Sequence, residues 1–264
     1  MSFKEYPIRV GSMLFTAVDP ERGHEVSYNR WYERDHYYAG CMIGPGMLAG
    51  SRWVATADLK ALRFPADTDV VPAIEAGSYV AIYWINDGQF DEWNAWAVDQ
   101  VNWLYGNDRG FQHRIHAHTG MYLHDSRWYR DQDPVPLELA LDRNYQGLVS
   151  LAVQRAEGTT QEDLEAWFTA QLPDFLKGSP IASVAAWTAV PLKDDAPAFV
   201  PRDPNAATRS MQLYFLEGDP RESWDAFKAW AERIDASGIG RVTYCAPWIP
   251  TVVGTDKYTD ELWG

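Results

Sequence analysis

Apolar positions along the chain alternate between two periods. Tyr79-Val80-Ala81-Ile82-Tyr83-Trp84 is a continuous run of strand type, whereas Trp93, Trp96, Ala97 and Leu104 recur at helical spacing. The same succession returns later: 210–215 is strand-like, and Trp224, Phe227, Trp230 and Ile234 keep helical spacing. Read outward from these anchors, 8–18, 48–56, 78–86 and 111–122 are predicted strands. Helices are predicted over 26–39, stopped by Gly40, and over 89–105. In the later part, Thr159 and Glu162 predict a capping box before a helix striped by Leu164, Trp167, Phe168, Leu172 and Phe175.

The two parts read as copies. Tyr83 with Tyr214, and Trp93 with Trp224, share an offset of 131; Trp31 with Trp167 gives 136 and Trp53 with Trp187 gives 134. A drifting offset is what loop insertions between matched elements produce. The expected organisation is a first repeat over 1–124, a linker over 125–146 broken by Pro134 and Pro136, and a second repeat over 147–264. Within each repeat the order is strand, helix, strand, strand, helix, strand. This is the ferredoxin-like arrangement of the α+β class, with both helices on one face of an antiparallel sheet. The bare face must be covered, so the two sheets are expected to stack on each other into an α+β barrel around an enclosed interior.

Composition narrows the partners. Lys and Arg total 23 against 37 Asp and Glu, a formal charge of −14. That field repels polyanions and argues against nucleic acid and anionic membrane. Two cysteines make no disulfide framework or zinc motif, the first residues lack a signal-peptide core, and no apolar run spans a bilayer. The expected location is therefore cytoplasmic. Thirteen tryptophans beside 14 tyrosines suit a small-molecule pocket as well as a core.

All six histidines fall in the first repeat, so that repeat is expected to carry the chemistry and the second to supply a wall. On a regular strand Arg114, His116 and His118 share one face, with Ile115, Ala117, Thr119 and Met121 on the other. If the apolar set lies under the helices, Arg114, His116 and His118 face the interior between the sheets. On the neighbouring strand Val80, Ile82 and Trp84 would lie under the helices, and Tyr83 would join the interior. Histidine exchanges protons near neutrality, and arginine offers a fixed fork for a carboxylate. Catalytic roles are therefore expected of His116, His118, His36, Tyr83 and Cys41, the last as a thiol close to His36. Arg114, Arg52, Trp84 and Tyr32 are the expected substrate-binding residues. His116, His118 and His36 would suit a mononuclear metal, but spacing identifies no carboxylate ligand, so neither metal nor other cofactor is expected. Pro197, Pro201 and Pro204 mark 193–209 as a long loop able to cover the pocket.

The segment Asn29-Arg30-Trp31-Tyr32, His36, Pro45-Gly46 and Arg52 resembles the dimeric α+β barrel superfamily, in its branch with an N-x-W-Y-x-x-x-H helix and a P-G turn. The resemblance implies a tandem chain imitating the usual homodimer, itself able to form a homodimer, with His36 near the cavity mouth and Arg52 able to hold an anion. That superfamily includes monooxygenases, haem enzymes, cyclases, lyases and isomerases. The expected function is cofactor-independent acid–base chemistry on a small conjugated carboxylate: an isomerase or lyase of aromatic-compound catabolism, such as a dienoate cis–trans isomerase or tautomerase. The alternatives are a haem- or oxygen-dependent oxygenase and a non-catalytic ligand-binding protein.

Overall fold

The computed structural model describes residues 8–192 and 200–264. The opening stretch and 193–199 of the proline-marked loop lie outside the described residues. Among those described, no helix is long and apolar enough to cross a membrane.

The first half contains β1 (Val10–Pro20), α1 (Glu25–Trp31), β2 (Met47–Val54), the single turn α2 (Ala57–Lys60), β3 (Tyr79–Asn86), α3 (Phe90–Gly106) and β4 (Arg114–Tyr129). The second contains β5 (Gly147–Arg155), α4 (Gln161–Leu176), β6 (Ile181–Val190), β7 (Arg209–Leu216), α5 (Trp224–Ser237) and β8 (Gly240–Pro250). Gly40 does not stop the first helix. After α1 the chain winds on through two wide π turns, Tyr32–His36 and Tyr38–Met42. Gly40 instead lies against a ring, since an added Cβ would sit 2.9 Å from atoms of His36. The capping box of α4 forms one residue later than expected, with Thr160 and Asp163 satisfying each other's backbone N–H. Gly238 ends α5 in the left-handed conformation, φ 73°.

Each half keeps the strand order 4-1-3-2 of a ferredoxin-like unit: β4-β1-β3-β2 and β8-β5-β7-β6. The halves do not stack as two separate sheets, as the sequence led us to expect. They join edge to edge, β2 to β8 and β6 to β4, so that one eight-stranded sheet returns to its starting strand. The physical reason is edge satisfaction: stacking would leave four strand edges unpaired, and lateral pairing uses them all. The seams are unequal. β4 and β6 pair from Met121↔Val190 to Tyr129↔Ser183, whereas β2 and β8 pair only at Trp53↔Pro250 and Val54↔Ile249. Phe64 adds a separate bridge to Cys245 beyond the short seam.

The space within the sheet is not hollow. Trp84 packs against Trp187 and Phe215 at centroid distances of 6.1 and 5.9 Å, and all three are fully buried. The helices lie on the outer face. In the second half that layer is solid: Phe175 stacks on Trp230 at 4.6 Å, and the Trp230 indole N–H donates to the Tyr214 hydroxyl at 2.8 Å.

Candidate functional site

A single extra residue decides which way the histidine ribbon faces. β1 pairs with β4 through Ala17↔His118 and then Val18↔His116, leaving Ala117 as a bulge. Side chains change sides across it. Arg114, His116, Thr119 and Met121 consequently face the helices together with Leu14, Thr16 and Val18 of β1. His118 faces the other way, into the barrel, beside Phe15 and Tyr122. Strict alternation had put His116 and His118 on one side and Thr119 and Met121 on the other, and the bulge overturns that grouping. The β3 expectation is reversed too: Trp84 is inside the barrel, and Tyr83 lies on the helix side, where its hydroxyl is 2.8 Å from that of Tyr32.

The cavity therefore lies between the sheet's outer face and the helical layer of the first half, not within the barrel. It measures about 130 Å³ and is walled by Trp93, Ala97, Val98 and Val101 of α3 and by Tyr32, His36 and Cys41 of the π turns. His36 stacks on Trp31 at 4.4 Å, and its Nδ1 has no hydrogen-bond partner among the described residues. His116 Nδ1 is 2.9 Å from the Thr119 hydroxyl, which is 2.9 Å from that of Thr16. Arg114 hydrogen-bonds the Tyr105 hydroxyl and lies over the Trp31 ring at 4.8 Å. Among the described residues no carboxylate pairs with Arg114, although the chain is strongly acidic.

Burial sets the electrostatics. It drives His36 well below the usual histidine range and His116 down to about 3, and the Arg114 charge pushes both in the same direction. Both imidazoles are neutral near pH 7. The Tyr32 and Tyr83 phenols are raised well above their ordinary value by burial. Burial also lifts the Cys41 thiol to about 12, so it remains protonated rather than serving as the activated thiolate expected from sequence.

The remaining expected residues sit elsewhere. Arg52 is buried outside the cavity, donating to Asn29 Oδ1 at 2.9 Å and Glu33 at 3.2 Å and lying over the Tyr32 ring at 4.5 Å. Two residues of the sequence motif, Asn29 and Arg52, thus hold each other and fix α1 to β2. His118 is part of the core: its Nδ1–H donates to the Val70 carbonyl at 3.1 Å and its Nε2 accepts from the Tyr122 hydroxyl at 2.7 Å. With His116 and His118 on opposite faces, the three-histidine metal set does not assemble. Sequence reasoning missed Thr16, Thr119, Tyr105 and Asn94, all in or beside the site. Asn94 carried a signal, being a polar residue within the apolar stripe of α3. Thr119 carried none, because its facing depends on the bulge.

Size limits what this cavity can hold. Drug-sized ligands occupy pockets of roughly 300 Å³ and more, so a tetrapyrrole does not fit a cavity of about 130 Å³. An engineered cavity of roughly 150 Å³ takes up benzene, which sets the scale at one ring.

No protein-family model and no curated protein matches the chain. Solved structures do. An anthrone oxidase-like protein superposes with a TM-score of 0.53 at 8% identity, covering 95% of this chain and 98% of that one. A provisional chlorite dismutase gives 0.53 at 9%, covering 96% and 100%. An arginine variant of the chlorite dismutase from Candidatus Nitrospira defluvii gives 0.50 at 9%, covering 96% and 94%. At this identity the likeness is one of fold alone. The isomerase or lyase expected from sequence is corrected on two grounds. The matched structures are named as anthrone oxidase-like and as chlorite dismutases, and His118, one of the expected acid–base groups, lies on the opposite face of the sheet from His116.

Proposed function

We propose that the chain is an oxidoreductase of the monooxygenase type, acting with dioxygen on a small, single-ring, anionic metabolite bound between α3 and the outer face of the sheet. The observation that carries this reading is a cation, Arg114, with no carboxylate partner among the described residues, at the wall of a largely apolar one-ring cavity with two neutral imidazoles beside it. The fold neighbour described as anthrone oxidase-like supports the reaction class.

The geometry suits a division of labour. Arg114 holds the substrate's anionic group, and α3 with Tyr32 sandwiches the ring. Arg114 also depresses His36 and His116, so an anion that neutralises it raises the basicity of both where a proton must be taken up. An activated CH₂ conjugated with the ring gives its proton to His116 or His36, and the electron pair stays on carbon. That carbanion passes its electrons to dioxygen and forms a C–O bond. Protonation gives a hydroperoxide, and loss of water leaves a carbonyl. The sum is CH₂ plus O₂ to C=O plus H₂O, with no external reductant.

Oxygen uptake with a panel of single-ring carboxylates bearing an acidic CH₂ or a phenol tests the proposal, alongside calorimetric binding of the same compounds. Arg114→Gln is expected to weaken carboxylate binding at least tenfold while sparing neutral analogues. Ala97→Phe, which fills the cavity, is expected to abolish both binding and uptake. Absence of uptake across the panel, with binding unchanged by both substitutions, would overturn it.

A further inference from the structure

A second cluster of donor side chains lies where β1 ends and β4 begins, outside the cavity. Glu21 follows β1, His24 precedes α1, and His113 precedes β4. Two backbone bonds fix them: the Glu21 N–H donates to the His113 carbonyl at 3.0 Å, and the His24 N–H to the Glu21 carbonyl at 2.9 Å. His113 Nδ1 lies 2.9 Å from Glu21 Oε2, and the two imidazoles stack at 3.7 Å with their planes 7° apart. One ligand atom from each of the three residues lies within 4.8 Å of the others. Phe111 stands edge-on to both rings, at 6.4 and 6.1 Å.

We propose that Glu21, His24 and His113 form a surface site for a first-row transition-metal dication of the zinc type. Two imidazoles and a carboxylate are a borderline donor set, which suits zinc, cobalt or nickel and not the all-oxygen preference of calcium or magnesium. Three protein ligands leave a coordination position for water. A ring nitrogen donates in the plane of its ring, so two parallel rings cannot both aim at one ion. Binding therefore opens the stack by tilting each ring, and His113 has room to tilt because its side chain is half exposed. The chain's charge of −14 raises the local concentration of dications. The ion would also tie the start of α1 to the start of β4, one residue before Arg114.

Full-length chain without a polyhistidine tag is titrated with Zn(II) by calorimetry and with Co(II) by visible absorption. One equivalent is expected to bind, with d–d bands of Co(II) saturating at the same stoichiometry and magnesium failing to compete. His24→Ala and His113→Ala are each expected to weaken binding at least tenfold, and Glu21→Gln to weaken it less. Circular dichroism checks that each variant keeps its fold. The absence of saturable binding, or binding undiminished in the variant carrying both His24→Ala and His113→Ala, overturns the proposal.

Discussion

His118 shows how a single side chain can carry every sequence mark of catalysis and still be structural. It sits two residues from His116, yet both of its nitrogens are engaged, with Val70 and Tyr122, and burial holds its pKa down at about 4. Replacing it with alanine opens a void and strands the Tyr122 hydroxyl. The expected cost for His118→Ala is about 2–4 kcal/mol in urea unfolding. Ligand affinity of the folded variant is expected to stay unchanged, because the sheet separates this ring from the cavity. A large loss of affinity with stability intact would show that His118 belongs to the site. Arg52 sits apart from the cavity for a different reason: its Nη1 is held by Asn29 and Glu33 and its guanidinium lies over two aromatic rings.

Elements were more legible than their faces. Helical stripes such as Trp224, Phe227, Trp230 and Ile234 are buried as the spacing indicates, because an apolar stripe has only one place to go. The two halves also share one strand order, which the succession of strand-like and helical stretches in the sequence had indicated. Two local departures were not readable. The bulge at Ala117 depends on pairing with β1, and the π turns after Trp31 depend on what packs beneath Gly40. Neither leaves a periodic trace, and together they decide which residues line the cavity. The α4–α5 layer offers a direct check on what fills the space between helices and sheet in the second half. Trp230→Ala removes the ring stacked on Phe175 and the donor to Tyr214, and is expected to cost about 3–5 kcal/mol. Free indole added to this variant is expected to raise its melting temperature by refilling the space, and to leave the parent protein unaffected.

At the scale of the whole molecule, acid should be the weak flank. Burial lowers His116 to about 3, His118 and His124 to about 4, and His36 well below its ordinary value. Between pH 6.5 and 4 the unfolded chain binds protons that the folded chain refuses, so stability present above 6.5 is lost as pH falls. Asp125 acts the other way: burial first, with the nearby Glu165 charge, raises it to about 7, so the folded state gains there as pH falls. Four histidines outweigh one aspartate. Stability is expected to drop on the order of a few kcal/mol from pH 7 to pH 5, read as a lower urea midpoint. A midpoint that is flat or rising over that range would contradict the buried, neutral histidines.

The long seam between β4 and β6 and the short one between β2 and β8 have a consequence for how such a ring can evolve. Two identical subunits related by a twofold axis must make both junctions alike, since any change to one is copied to the other. Covalent fusion removes that constraint. One junction can be extended and its counterpart trimmed, and one lobe can be filled with aromatic rings while its twin keeps a chamber, each by substitutions the other never receives.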